Sequence, residues 1–142
     1  MPTRIFVYGT LKQGHRNAQV NAGVRVPGEF VTVERFPLYV IGPHQLPWLV
    51  AIPGQGEHVV GQLYEVDASA LARMDVLERI TKPDWYSRAE IAVRPCADAQ
   101  APVQRAWVYF GSASRLKNEV VHLGPLAEYT LAHAAMRVNA TR

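Results

Sequence analysis

The sequence predicts an α+β fold, in which a largely antiparallel sheet or small mixed β-barrel of six or seven strands is joined by one mid-chain helix and a C-terminal helix. Ten glycines and ten prolines are spread through the chain, and they divide its first two-thirds into short segments, which is typical of strands connected by turns. The spacing of apolar residues then becomes helical in mid-chain, and the tail is rich in Ala and Leu. The 142 residues suit a single domain over 1–142.

The strands are predicted from short runs of β-branched and aromatic residues that end near glycine or proline. Such runs lie at residues 4–8, 24–35, 38–41, 48–52, 59–66, 86–94 and 103–110, and the second is expected to bend at Pro27-Gly28. The run 59–66 alternates, so Gln62 and Tyr64 are expected on one face of the strand, with Gly61 and Leu63 on the other.

The mid-chain helix is predicted to begin at Asp67 or Ser69, either of which is a good N-cap, and to run to about Arg79. Helical spacing places four of its side chains near one face, namely Leu71, Met74, Leu77 and Glu78. The tail from residue 125 to about 138 is predicted to form the second helix.

Composition and charge exclude several classes of function. The 15 basic and 12 acidic residues leave a net charge of +3, and no basic run of the kind that binds nucleic acid occurs. No apolar run approaches the roughly 20 residues that span a bilayer, and the N-terminus lacks a signal-peptide pattern. The lone Cys96 excludes an intrachain disulfide. We therefore expect a cytoplasmic protein with no nucleic-acid or membrane partner; its oligomeric state is left open.

The glycine motifs and the histidines predict no cofactor or metal site. The run from Gly9 to Gly14 has the glycine spacing of a phosphate loop, but His15 stands where that loop requires Lys. The segment Gly54-Gln-Gly56 lacks the third glycine of a dinucleotide fingerprint. The five histidines include no pair at ligand spacing on one predicted element. We predict that the protein uses neither a cofactor nor a metal ion.

A first candidate site segment is residues 7–12, Val-Tyr-Gly-Thr-Leu-Lys, where a predicted strand stops abruptly at Gly9. Such a turn can direct successive backbone N–H groups to one point and hold a carboxylate or an oxyanion there. The alternative is a simple turn in which Gly9 supplies a positive φ. The spacing alone leaves both interpretations open.

A second candidate segment is residues 44–49, in which Pro47 precedes Trp48 at the start of a predicted strand. A proline in this position can fix the indole as an aromatic wall beside a pocket. A core tryptophan preceded by a loop is an equally good interpretation of the same residues.

The third candidate is Glu78, an acidic residue on the apolar side of the predicted helix. It is either a helix-end salt bridge, with Arg88 as its natural partner, or a desolvated carboxyl group with a raised pKa. Arg79 follows it directly and could pair with it, which would lower that pKa. Asp75 and Glu65, two further carboxylates, are expected to be exposed or structural.

Together these segments resemble the γ-glutamylcyclotransferase-like proteins, and most closely their γ-glutamylamine cyclotransferase branch. The matching pieces are the opening signature 7–12, the segments 46–49 and 60–67, the acidic helix end 74–78 and the tyrosine strand 86–88. The resemblance covers about residues 4–110, and the ordered combination is far more specific than any one piece.

The resemblance implies a small β-barrel enzyme that needs no cofactor. Its substrate would be a γ-glutamylamine such as γ-glutamyl-lysine, whose α-amino group attacks its own γ-carbonyl and releases 5-oxoproline with a free amine or amino acid. Glu78 would be the catalytic acid/base residue. The substrate-binding residues implied by the resemblance are Tyr8, Gly9, Thr10, Leu11, Trp48 and Tyr86.

Three alternatives remain beside this interpretation. The substrate could be a γ-glutamyl-amino acid or a γ-glutamyl-protected biosynthetic intermediate. A protein of the same fold could keep the pocket and bind a small molecule without catalysis. A purely structural protein is the third alternative, and it requires that Tyr8, Gly9 and Glu78 do not converge in space.

Overall fold

A computed structural model describes residues 3–140 of the chain. This range contains nine strands and three α-helices. The strands are β1 (Thr3–Val7), β2 (Val24–Arg25), β3 (Phe30–Thr32), β4 (Leu38–Ile41), β5 (Leu46–Leu49), β6 (Val60–Val66), β7 (Tyr86–Pro95), β8 (Gln104–Gly111) and β9 (Val121–Leu123). The α-helices are α1 (Ala68–Glu78), α2 (Ala113–Asn118) and α3 (Leu131–Ala140), and a short 3₁₀ helix covers Ala18–Val20.

Five of these strands close into a barrel. The strand order is β1-β8-β7-β3-β6, and β6 pairs back with β1 while also carrying the short β2. The β6–β1 and β7–β8 pairs are antiparallel, whereas β1 and β8 run parallel with Ile5 opposite Trp107. The predicted α+β class with a small mixed barrel is confirmed.

A second sheet contains three strands in the order β5-β4-β9. Its β4–β5 hairpin places Tyr39 opposite Trp48. The Trp48 indole packs directly on β8, where a Cβ added to Gly111 would lie only 2.2 Å from the ring. Gly111 therefore provides the space that lets the small sheet meet the barrel.

Two hydrophobic cores lie on the two faces of the β1–β6 pair. Phe6 and Leu63 are partners across the pair and belong to the core inside the barrel. Ile5 and Tyr64, the neighbouring partners, belong to an outer core that also contains Met74 of α1. The alternation predicted for residues 59–66 is thus confirmed, and helix α1 is held over the outside of the barrel.

Helix α1 has the capping residue that the sequence suggested. The side chain of Asp67, and not Ser69, accepts a hydrogen bond from the Ala70 amide at 2.7 Å. Arg79 adopts a left-handed conformation with φ of 53° and ψ of 49°, which ends the helix. Glu78 is therefore the last helical residue, held by the helix but next to the point where the chain turns.

The structure contains the predicted bend after β2, shifts one predicted strand and adds two short elements. The bend predicted at Pro27-Gly28 is found, and Gly28 at φ of 91° divides the strand region 24–35 into β2 and β3. The strand predicted at 48–52 is β5, Leu46–Leu49, and a tight turn from the Ile52 amide to the Val50 carbonyl at 2.9 Å follows it. Strand β9 and helix α2 were not predicted. Ser112 caps the N-terminus of α2, since its side chain accepts a hydrogen bond from the Arg115 amide at 3.0 Å.

The C-terminal helix is confirmed, but it begins at Leu131 and not near residue 125. The segment before it is tied to other strands, since the Leu126 amide donates to the Leu38 carbonyl at 2.8 Å. The Ala127 carbonyl likewise accepts from the Val60 amide at 2.7 Å. The backbone groups of this segment therefore make hydrogen bonds to strands and do not need helical partners. None of the helices within residues 3–140 is both long and apolar enough to cross a membrane.

Candidate active site

A cavity of about 440 Å³ opens where the loop after β1, the start of β5 and the end of α1 meet. Six of the seven predicted site residues line it, namely Tyr8, Gly9, Thr10, Leu11, Glu78 and Tyr86. The arrangement expected of a purely structural protein, in which Tyr8, Gly9 and Glu78 stay apart, is not found. The barrel and the covering helix α1 bring these distant parts of the sequence to one place.

The loop after β1 lines the cavity, and its backbone donors there have no partner in the protein. In the described part of the chain, the amides of Gly9, Thr10 and Leu11 donate to no protein acceptor. The loop is held from its other side, because the Asn17 amide donates to the Thr10 carbonyl at 2.8 Å and the Asn17 side chain donates to the Thr10 hydroxyl at 2.9 Å. Three successive amides without a protein acceptor, in residues that line a cavity, can form an anion-binding concavity.

Gly9 is required by close packing and not by its own dihedral angles. Its φ lies outside the positive range that other glycines of the chain adopt, so the alternative of a positive-φ turn is wrong. A Cβ at Gly9 would lie 2.8 Å from Pro47 Cγ, which is closer than real Cβ contacts. The first and second candidate segments therefore touch, and Pro47 buttresses the loop that carries the free amides.

The aromatic wall of the cavity differs from the sequence prediction in one residue. Trp48 is fully buried and is not part of the lining, so it lies behind the wall. Its ring centroid is 4.4 Å from that of Tyr86 and 5.0 Å from that of Trp85, and both of these residues do line the cavity. The Tyr86 hydroxyl donates to the Pro47 carbonyl at 2.6 Å. Trp48 thus supports Tyr86 and Trp85 from behind and does not face the cavity.

The Glu78 carboxyl group has no hydrogen bond or ion pair among residues 3–140. Burial raises the pKa of Glu78 to about 7, because the ionised form is poorly solvated there. The expected partner Arg88 instead binds Asp75, with Nε 3.0 Å from Oδ1 and Nη2 3.2 Å from Oδ2. Arg79 makes no ion pair with Glu78 within 4.0 Å, and the pKa of Glu78 moves up and not down. The desolvated carboxyl group is the interpretation that the structure supports.

Two tyrosines close the cavity floor near Glu78. The Tyr8 hydroxyl donates to the Tyr109 carbonyl at 2.6 Å, and the Tyr109 hydroxyl donates to Asp75 Oδ1 at 2.7 Å. Burial raises the pKa of Tyr8, and the negative charge of Glu78 raises it further. Burial, then the bond to Asp75, raises the pKa of Tyr109. Both phenols therefore stay protonated at neutral pH with their protons committed to fixed acceptors.

Sequence reasoning missed several lining residues, among them Arg16, Lys82, Trp85 and Tyr109. Tyr109 lies within a strand, where its sequence context is that of an ordinary core residue. Its partner Asp75 did stand out in the sequence, but strand register, which the sequence does not define, decides that they meet. Among the described residues, no three His, Cys, Asp or Glu side chains lie close enough to hold a metal ion.

This geometry defines a class of site. A carboxyl group with a pKa near neutrality can both accept and donate protons. Free backbone amides in the same cavity can bind a carboxylate or a developing oxyanion. A barrel that combines the two is suited to acid–base chemistry on a small anionic molecule.

Comparison with known proteins gives the particular family. The family model described as gamma-glutamyl cyclotransferase, AIG2-like, matches residues 5–130. This chain belongs to that family, as the resemblance of its motifs implied.

Several of the similar proteins, from different animals, are named gamma-glutamylaminecyclotransferase. The chain is 42% identical over 95 residues to gamma-glutamylaminecyclotransferase of Rattus norvegicus, covering 63% of this chain and 62% of that protein. It is 35% identical over 130 residues to gamma-glutamylaminecyclotransferase of Bos taurus, covering 88% and 74%. The crystal structure of an AIG2-like protein from Mus musculus superimposes with a TM-score of 0.73 at 32% identity, covering 91% and 88%. The chain thus spans less than two thirds of the length of the rat relative.

Proposed function

We propose that this protein is a cyclotransferase that releases 5-oxoproline and a free amine from a γ-glutamylamine such as γ-glutamyl-lysine. The observation that carries the proposal is the presence of the unpaired Glu78 carboxyl group in the same cavity as the free amides of Gly9, Thr10 and Leu11. The family to which the chain belongs and the names of its relatives support the same activity.

The proposed reaction is an intramolecular aminolysis. The α-amino nitrogen of the γ-glutamyl group attacks the γ-carbonyl carbon, the new C–N bond closes a five-membered lactam, and the bond to the departing amine breaks. The attacking nitrogen loses two protons between its ammonium and lactam forms, and the departing nitrogen gains two. Atoms and charge therefore balance without water or a cofactor. The reacting groups belong to one molecule, and well-oriented intramolecular reactions reach effective molarities of about 10⁵–10⁸ M.

Glu78 would move these protons. The substrate ammonium has a pKa of about 8, so it must lose a proton before it can attack. A carboxylate with an ordinary pKa of about 4.3 is a weak base for this step. Because burial raises the pKa of Glu78 to about 7, the group is close to the optimum for both accepting a proton and returning one to the departing amine.

The loop after β1 would bind the negative charge. The amides of Gly9, Thr10 and Leu11 have no protein acceptor and belong to residues that line the cavity, and such donors would bind the substrate carboxylate or the oxyanion of the tetrahedral intermediate. Tyr8 and Tyr86 would shape the pocket around the glutamyl chain, since both line it and both hydroxyls are fixed by backbone carbonyls. We propose that Trp48 acts as a positioning residue behind Tyr86.

The test is the release of 5-oxoproline from γ-glutamyl-lysine by the wild type and by Glu78→Gln. We expect the substitution to lower kcat by about 10²–10⁴-fold, because it removes the proton carrier. Glu90→Gln is the matched control, since Glu90 lies on β7 in a surface pair with Arg105 at 3.5 Å and does not line the cavity. Full turnover by Glu78→Gln would disprove the proposed role.

The alternative of a non-catalytic binding protein gives a different result in the same experiment. It requires that γ-glutamyl-lysine raise the melting temperature of the wild type without any release of 5-oxoproline. The cytoplasmic location expected from the sequence stays a prediction.

A further inference from the structure

Two buried side chains stand on either side of the three amides in the loop after β1. Within residues 3–140 the amides of Gly9, Thr10 and Leu11 have no protein acceptor, so their direction depends on the residues that flank them. Tyr8 precedes them and is 6% exposed, and Lys12 follows them and is 3% exposed. The contacts of these two residues therefore decide where the amides point.

Both flanking side chains donate to backbone carbonyls that are distant in sequence. The Tyr8 hydroxyl donates to the Tyr109 carbonyl of β8 at 2.6 Å, and the Lys12 ammonium donates to the Tyr129 carbonyl in the segment before α3. The backbone of Lys12 belongs to the same turn as the three amides, because its own amide donates to the Gly9 carbonyl at 3.1 Å. A shift of the Lys12 side chain would thus be passed directly to this turn.

The Tyr129 carbonyl is fixed by the barrel. The Tyr129 side chain is fully buried and belongs to the core inside the barrel. The segment before it is bound to β6, where the Val60 amide donates to the Ala127 carbonyl at 2.7 Å. The C-terminal segment therefore offers the Lys12 ammonium an acceptor whose position is set by the rest of the fold.

A lysine is an unusual residue in such a buried position. An ammonium group loses much of its solvation there, and lysine is almost never fully buried unless it has a partner. Burial lowers the pKa of Lys12, and the negative charge of Glu128 opposes part of this shift. The Glu128 carboxylate is exposed and lies 4.0 Å from the ammonium, so the Tyr129 carbonyl is the closer partner. A methionine would fill the same space without this cost, so packing alone does not account for Lys12.

We infer that Lys12 is a positioning residue for the loop after β1, and that it holds this loop against the Tyr129 carbonyl of the C-terminal segment. In the described part of the chain, neither Lys12 nor residues 126–130 line the cavity. The C-terminal segment thus contributes to the active site through Lys12 and without touching the substrate. The effect on catalysis rests on the proposed function, in which the loop amides bind the substrate carboxylate or the oxyanion.

The kinetic test compares Lys12→Met with Val93→Ala as a matched control. Lys12→Met removes the charge and the donor at nearly equal side-chain length. Val93→Ala weakens the barrel core elsewhere, because Val93 is fully buried on β7 and does not line the cavity. Well below both melting temperatures, we expect kcat/KM for 5-oxoproline release to fall about 10- to 100-fold in Lys12→Met and less than about twofold in Val93→Ala. Equal losses in the two variants would overturn the inference.

Nitrogen-15 relaxation tests the positioning role without catalysis. Backbone order parameters are about 0.85 in rigid segments and below about 0.6 in flexible ones. We expect those of Gly9, Thr10 and Leu11 to fall toward the flexible value in Lys12→Met and to stay rigid in Val93→Ala; rigid values in both variants would overturn the inference. If the wild type releases no 5-oxoproline, the proposed function fails, whereas a loosened loop in Lys12→Met would still support the positioning role.

A third variant separates the carbonyl acceptor from the nearby carboxylate. Glu128→Gln removes the ion pair at 4.0 Å and leaves the Tyr129 carbonyl in place. Because exposed ion pairs contribute little, we expect kcat/KM to change less than about threefold and the loop order parameters to stay at the rigid value. A loss as large as that of Lys12→Met would contradict the assignment of the Tyr129 carbonyl as the partner that holds Lys12.

Discussion

Two carboxyl groups at the end of helix α1, one turn apart, have opposite surroundings. Asp75 accepts two hydrogen bonds from the Arg88 guanidinium, at 3.0 and 3.2 Å, and a third from the Tyr109 hydroxyl at 2.7 Å. Glu78 has no such partner in the described chain and faces the cavity. Asp75 is thus satisfied by the protein itself, whereas Glu78 is left with a raised pKa and room for a ligand. Proximity in sequence does not decide which acid is structural; the strand register that delivers Arg88 and Tyr109 does.

We expect the largest effect on stability from removing the charge of Asp75, the acid whose hydrogen bonds are satisfied within the protein. Asp75→Asn would leave Arg88 half-buried without its counter-charge and weaken the anchor of Tyr109. We expect it to lower the free energy of unfolding by about 2–3 kcal/mol, somewhat below the loss for a fully buried pair. Urea unfolding at neutral pH measures this. The surface control Glu90→Gln should change the free energy of unfolding by less than about 1 kcal/mol. An equal effect of both variants would contradict the structural role assigned to Asp75.

The unsatisfied acid should have the opposite influence on stability. Because the pKa of folded Glu78 is about 7, above its unfolded value of 4.5, its protonated form favours the native state. That contribution is fully present below about pH 4.5 and is lost as pH rises through about 7. Relative to the wild type, Glu78→Gln should therefore gain about 2 kcal/mol of stability between pH 5 and pH 8. Parallel pH profiles of the two proteins in urea unfolding would disprove the raised pKa.

A smaller effect, on activity, is expected where the loop of free amides meets its buttress. Gly9→Ala would place a Cβ 2.8 Å from Pro47 Cγ and push the amides away from Glu78. We expect kcat/KM for 5-oxoproline release to fall by about tenfold, or about 1.4 kcal/mol. Adding Pro47→Ala, which removes the clashing atom, should restore part of the loss. A double variant no better than Gly9→Ala would show that the contact is not the cause.

The parts of the fold that the sequence predicted correctly are those that depend on local sequence signals. The cap at Asp67, the helix ending near Arg79 and the alternation along β6 all depend on residues close in sequence. The convergence of the loop at Gly9 with Glu78 came from the family resemblance, and the structure brings them to one cavity.

The features that were missed depend on long-range packing. The sequence could not choose Asp75 over Glu78 as the partner of Arg88, because β7 meets α1 only in the folded protein. The sequence left open that Gly9 is required for a positive φ, whereas glycine is required there because Pro47, distant in sequence, packs against it. It placed Trp48 at the pocket, but the space above Gly111 draws the indole behind the wall.

The parallel pairing of β1 with β8 also has a consequence for how the chain folds. Ile5 and Trp107, which meet in this pair, are about a hundred residues apart, and such contacts form slowly because a long loop must close first. During synthesis the barrel stays open until β8 has left the ribosome. The loop at Gly9 and the end of α1 exist well before that, yet Tyr109, which completes the cavity floor, arrives with the closing strand. No nascent fragment lacking β8 would hold the complete cavity, so any cyclotransferase activity would begin only with barrel closure.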